Sequence, residues 1–336
     1  MPFLTGRAHY KPFEYPWAFD NYLVQNQVHW LPEEVPLHED VKDWNFKLTE
    51  PQRHLLTQLF RFFTQADVDI SQSYIDKYLQ VFGNIPEIRM MLVAFANIES
   101  VHAHSYSLLL DTVGMPEVEY KAFLQYEAMK EKHDFVGQFN VNNEYEMAKS
   151  MAVISGGLEG VQLFSSFAML LNFPRHNLMK GMGQIITWSV RDESLHVEGM
   201  SNMFKAFVKE RMGGITKELR GDVYGAFEEI VRQEDAFIDL SFELGGVEGM
   251  TPEEVKQYIR FIADRRFIGL GMKGIFKIKK NPLDWLDHIL NGEEHTNFFE
   301  NRSTEYSKAS TQGDWGDVWE KYDVERLVAP EHRIIV

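Results

Sequence analysis

The run Met90-Met91-Leu92-Val93-Ala94-Phe95-Ala96-Asn97-Ile98-Glu99-Ser100-Val101-His102 decides the fold. It reads as one apolar helix that ends in a Glu-x-x-His pair. A glutamate and a histidine three apart project from the same helix face, so both can reach one metal ion. Alone, such a pair is a weak signal. With 12 histidines and many glutamates, a single match is expected by chance.

The pair recurs. Arg191-Asp192-Glu193-Ser194-Leu195-His196 follows the apolar residues Ile185, Ile186, Trp188 and Val190. Glu99 to Glu193 and His102 to His196 are the same 94-residue interval. Each pair is also preceded by a carboxylate in an apolar helix: Asp67 stands 32 positions before Glu99, and Glu159 stands 34 before Glu193. One carboxylate from each of two helices and a Glu-x-x-His from each of two others build a two-metal site inside a helical bundle. Four carboxylates and two imidazoles suit iron or manganese. Four buried acids would repel one another without a metal, and two divalent ions cancel their charge.

Two neighbours are set aside. Asp69 is two residues from Asp67 and cannot share its helix face. Asp67 follows Phe63 by four and precedes Ile70 by three, which puts it on the apolar stripe. His104 is two past His102 and points elsewhere. Tyr106, four after His102 and seven after Glu99, stays on the metal-facing stripe as a candidate for one-electron oxidation.

Helix signals dominate the rest. Thr49-Glu50-Pro51-Gln52 and Thr251-Pro252-Glu253-Glu254 read as capped helix starts. The expected helices run from Pro86 to about 112, then roughly over 116–136, 144–173, 177–211 and 215–244, with the last from Thr251 to about 273. No period-two strand pattern stands out, so the class is all-α with long helices. Residues 1–45 read as an irregular N-terminal arm, 46–296 as the helical domain and 297–336 as a flexible tail that keeps Tyr306, Trp315, Trp319 and Tyr322.

Composition narrows the function. Across 336 residues there is no cysteine, which excludes disulfides, thiolate metal sites and a thiol nucleophile. A net charge of −16 argues against nucleic-acid binding. Ser150 to Phe173 is apolar, but Glu159 at its centre argues for a buried helix rather than a membrane span. No targeting signal is visible at the start, and the expected location is cytoplasmic.

At these residues the chain resembles the small, radical-generating (beta) subunit of class I ribonucleotide reductase, a ferritin-like family. The resemblance runs from about Trp30 to Tyr306. It rests on Glu99-Ser-Val-His102 with Tyr106, on Leu158-Glu159-Gly160, and on Arg191-Asp192-Glu193-Ser194-Leu195-His196. It implies that Asp67, Glu99 and His102 bind one metal, and Glu159, Glu193 and His196 the other. Two metal ions per chain are implied, Fe/Fe first with Mn/Fe or Mn/Mn as alternatives, together with oxygen for activation. Tyr106 would hold the radical. Trp30 would stand near the start of the transfer path, joined to His102 through Asp192. Tyr306 would relay the radical to the large (alpha, catalytic) subunit, which makes deoxyribonucleotides for DNA replication.

Further implied partners are a second copy in a homodimer and a flavoprotein activator. Ribose reduction in this family needs thiols, so a chain without cysteine leaves that step to its partner. One departure stands out. Leu163 and Ser189 occupy two positions of the usually bulky apolar radical pocket, with Phe167 at a third. The closest rival is a ferritin-like dimetal oxidase or monooxygenase acting on its own small or fatty substrate. It would need the six ligands, but not Trp30, Asp192 and a tail tyrosine.

Overall fold

Both capping boxes form. The Thr49 hydroxyl accepts from the Gln52 N–H at 3.4 Å while Gln52 Oε1 accepts from the Thr49 N–H at 2.9 Å. Thr251 and Glu254 do the same at 3.3 and 2.9 Å. Each such cap stabilises its helix by about 1 kcal/mol.

The computed structural model describes residues 6–289, apart from the side chains of Thr64 and Phe123. Among the described residues there are long helices and no strand, only an isolated bridge between Val247 and Met250. The helices are α1 (Pro16–Gln27), α2 (Glu50–Gln72), α3 (Pro86–Val113), α4 (Glu127–Val136), α5 (Glu144–Arg175), α6 (Lys180–Arg211), α7 (Lys217–Ser241) and α8 (Pro252–Gly269). Helices α2 and α3 pack together, α5 packs on α6, and α6 meets α3. These four form a helical bundle. α7 and α8 cover the outside of α5, and α1 lies on α3 and α6.

Among the described residues, α5 is the one helix long and apolar enough to cross a membrane, and every residue of its apolar window is buried in protein. Its middle is not an ordinary α-helix. Ile154–Leu163 winds as a π-helix, and all ten of its residues are buried. Gly157 lets the widened segment touch α7, since a Cβ there would lie 2.4 Å from Ile230 Cδ1. A plain helix over 144–173 was the sequence expectation. The 3.6-residue pattern reports burial but not winding, so the π segment is invisible to it.

Three further expectations change. Residues 6–45 of the expected arm carry short helical stretches. They contain α1, a 3-10 turn at Pro32–Glu34 and a short helix at His38–Lys42. The helix expected over 116–136 breaks into Glu119–Ala122, Phe123–Gln125 and α4. Tyr126 is extended at the break, and Arg61 binds both sides of it, Glu119 Oε2 at 2.6 Å and the Tyr126 hydroxyl at 2.7 Å. Helix α6 starts at Lys180 rather than 177, because Asn177 and Met179 adopt positive φ. Its N-terminus is capped from the arm. Asp40 accepts from the Gly181 and Met182 N–H groups at 2.9 and 2.8 Å, and Asp43 accepts from the Met179 N–H at 2.8 Å. Two carboxylates at a helix start suit its dipole. The tail over 297–336, with Tyr306, lies outside the described residues.

Candidate metal centre

The bundle gathers the carboxylates and histidines of the two repeated patterns at its centre. Ligand atoms of Glu99, Glu159, Glu193 and His196 lie within 4.8 Å of one another, and so do those of Asp67, Glu99 and His102. Glu99 belongs to both groups, so the two clusters adjoin. All six side chains are buried. His102 Nδ1 is 3.3 Å from Glu99 Oε2 and 3.3 Å from Glu193 Oε1. His196 Nδ1 is 2.9 Å from Glu99 Oε1, 3.4 Å from Glu193 Oε2 and 3.6 Å from Glu159 Oε1.

The donor set fits a pair of divalent ions. Both oxygens of Asp67, both of Glu193, Glu99 Oε1 and Glu159 Oε2 are buried without a hydrogen-bond partner among the described residues. Like charges about 4 Å apart repel by roughly 4 kcal/mol per pair near a protein surface, and by more inside. One hydrogen bond to a charged group returns roughly 1.5–3 kcal/mol. Hydrogen bonding alone therefore cannot hold this cluster ionised. Burial, then the neighbouring Glu99, pushes the Asp67 carboxyl well above its ordinary range. Burial likewise pushes Glu159 up. Burial works against charging the two imidazoles, but the surrounding carboxylates outweigh it and hold His102 and His196 well above an ordinary histidine. The cluster thus attracts positive charge, which bound cations would supply.

The two histidines differ on their outer sides. His102 Nε2 lies 3.1 Å from Asp192 Oδ2, and Trp30 Nε1 donates to the same oxygen at 2.8 Å. The Trp30 and His102 rings stack with centroids 5.9 Å apart. The other oxygen of Asp192 accepts from Gln25 Nε2 at 3.1 Å and Arg191 Nη2 at 3.4 Å. Burial raises the Asp192 carboxyl, but His102, Arg191 and Trp30 outweigh that and hold it below its ordinary value. An ionised Asp192 assigns the Nε2 proton to His102 and leaves Nδ1 free to ligate. His196 Nε2 is buried with no hydrogen-bond partner among the described residues. Its ring instead meets Phe95, with centroids 4.3 Å apart, and the edge of Tyr74 at 5.9 Å. Gly199 leaves room for that Phe95 ring, since a Cβ there would meet it at 3.0 Å.

Tyr106 is buried, and its hydroxyl donates to Ser189 Oγ at 3.0 Å rather than to a candidate ligand. Its ring packs on Phe63, centroids 4.7 Å apart, which stacks on Phe167. Asp69 stands outside the clusters. It accepts from Gln65 at 2.7 Å and lies 2.6 Å from His133 Nδ1. The His104 side chain is 56% exposed.

Two neighbours of the site escaped the sequence reading. Gln25 comes from α1, a segment with no apolar stripe to announce it. Tyr74 donates to Glu159 Oε1 at 2.5 Å from the π turn Ser73–Tyr78 that follows α2. Its place seven residues after Asp67 on the apolar stripe was the available signal.

Comparison with known proteins agrees with this geometry. The family description "ribonucleotide reductase, small chain" matches residues 7–282. A ribonucleoside-diphosphate reductase small subunit of Invertebrate iridescent virus 6 is 44% identical, over 96% of this chain and 99% of its own. One from Invertebrate iridescent virus 3 is also 44% identical, over 93% of this chain and 87% of its own. Among solved structures, a ribonucleotide reductase subunit from Clostridium botulinum superposes with a TM-score of 0.75. It has 24% identity and covers 82% of this chain and 89% of its own, a likeness of fold.

Proposed function

Because the chain belongs to the ribonucleotide reductase small-chain family, and so is the small subunit of a class I ribonucleoside-diphosphate reductase that works with a large catalytic subunit, we propose how its centre serves that reaction. Asp67, Glu99 and His102 hold one metal ion, and Glu159, Glu193 and His196 hold the other. Once loaded and exposed to oxygen, the ion pair supplies a one-electron oxidant. Fe/Fe is the first choice, and Mn/Fe and Mn/Mn satisfy the same ligands. A flavoprotein activator, a homodimeric assembly and a cytoplasmic location complete the reading.

The chain's own residues have separable tasks. His102 presents Nδ1 to the ion, because Asp192 fixes the proton on Nε2. Asp192 stays ionised and fixes the Trp30 indole N–H at 2.8 Å, so hydrogen bonds join buried Trp30 to the proposed ligand His102. Arg191 anchors the strap that carries Trp30 by donating to the Val28 carbonyl at 2.7 Å. Phe63, with Phe167 stacked on it, excludes water beside Tyr106, the proposed seat of the stored oxidising equivalent. Tyr306 is the proposed tail relay to the large subunit.

The observation that carries this reading is the Trp30–Asp192–His102 chain. An oxidase with its own substrate would need the metals but not this outward connection. Trp30→Phe tests it. The variant should bind two metals, form its radical and lose turnover with the large subunit. Unchanged turnover would remove Trp30 from the path.

A further inference from the structure

The six candidate ligands do not stand on the same kind of backbone. Asp67, Glu99, His102, Glu193 and His196 lie on ordinary α-helix in α2, α3 and α6. Of the six, Glu159 alone lies in a π segment, Ile154–Leu163. A π turn closes on the fifth residue where an α turn closes on the fourth, so it takes up one residue more. Losing that residue from the turn would rotate one flank of the helix against the other by about 100°. Such a rotation would carry Glu159 off the face that meets His196. A side chain from outside α5 grips this segment. Arg266, on α8, donates from Nε to the Gly160 carbonyl at 2.8 Å. Its guanidinium lies over the Phe164 ring, 4.4 Å from the centroid. The two contacts bracket the point where the π segment returns to α-helix. Gly160 makes room for them, since a Cβ there would lie 2.9 Å from Arg266 Nε and 3.0 Å from its Cδ. Arg260, earlier on α8, pairs with the Asp235 carboxylate at 2.9 and 2.6 Å. Among the described residues Arg266 has no carboxylate partner, and its charge is spent on a backbone carbonyl and a ring.

We propose that Arg266 is a positioning residue, which clamps the π segment through the Gly160 carbonyl and the Phe164 ring and so holds Glu159 where it can ligate the second ion. It touches none of the six ligands itself. It acts through the winding of α5, and Gly160 is its counterpart, the position that must stay without a side chain. The inference rests on the proposed two-metal reading.

The test uses the full chain with two readouts. Amide hydrogen exchange on the metal-free protein reports the winding of 154–163. Anaerobic titration with Mn(II), followed by electron paramagnetic resonance, counts the ions and their affinities. Arg266→Met keeps an apolar stem and removes the donor. It should speed exchange within 154–163 and leave the amides around Glu99 and Glu193 as they are. It should also weaken one ion about 10–100-fold, as loss of an outer support does elsewhere, and spare the other. The ion lost should be the one that Glu159→Ala loses. Gly160→Ala should reproduce this pattern, and Arg266→Lys, which keeps a donor and the charge, should restore part of the affinity. Wild-type exchange and two tightly bound ions in Arg266→Met would overturn the proposal. Equal weakening of both ions, with faster exchange throughout the bundle, would also overturn it and leave Arg266 as general packing. A wild-type chain that takes up no pair of ions would overturn the two-metal reading instead, and the exchange pattern would still show whether Arg266 holds the segment.

Discussion

The two halves of the candidate metal centre repeat the same carboxylate–histidine pattern in different surroundings. The His102 half is connected outward. Its Nε2 reaches Asp192, and Asp192 binds Trp30, Gln25 and Arg191. The His196 half is sealed. Among the described residues its Nε2 has no hydrogen-bond partner, and Phe95 and Tyr74 close over the ring. A sequence repeat can therefore duplicate the ligands without duplicating the function. The residues that differ around them set which half the proposed path would use.

Deleting the outward connection gives the largest effect. Asp192→Ala leaves His102 Nε2 without its carboxylate and should weaken metal binding about 10–100-fold, as removal of such outer partners does elsewhere. Isothermal titration on the metal-free protein measures it, and an unchanged affinity would erase the contrast between the halves. Phe95→Leu probes the sealed half. Loss of ring area should cost roughly 1 kcal/mol of stability in thermal unfolding. Turnover by loaded protein should persist, because no outward path runs there. A collapse of turnover at normal metal content would show that the sealed half also conducts. Gln25→Ala should have the smallest effect. It removes one of several donors to an ionised Asp192, and metal affinity should change by less than in Asp192→Ala. An equal loss would make Gln25, not His102 and Arg191, the main support of that carboxylate.

Much of this centre is legible in the chain itself. Glu99, His102, Glu193 and His196 follow from two Glu-x-x-His pairs, and Asp67 parts from Asp69 because two positions along a helix turn a side chain away. The capped helix starts at Thr49 and Thr251 are equally local, since all partners lie within four residues. What escapes is long-range. Gln25 reaches Asp192 across 167 positions, and Tyr74 reaches Glu159 across 85. No periodicity links such partners. The π winding of Ile154–Leu163 escapes for a different reason, because burial on every side leaves no polar face to reveal the pitch. The break at Tyr126 depends on Arg61, a residue from another helix.

The most direct test counts metal. Metal-free chain titrated anaerobically with Fe(II), and separately with Mn(II), should take up two ions per chain. Asp67→Ala and Glu159→Ala should each retain one, lost from opposite halves. A wild-type chain that binds one ion or none, or variants that both keep two, would contradict the assignment of these residues to a two-metal centre.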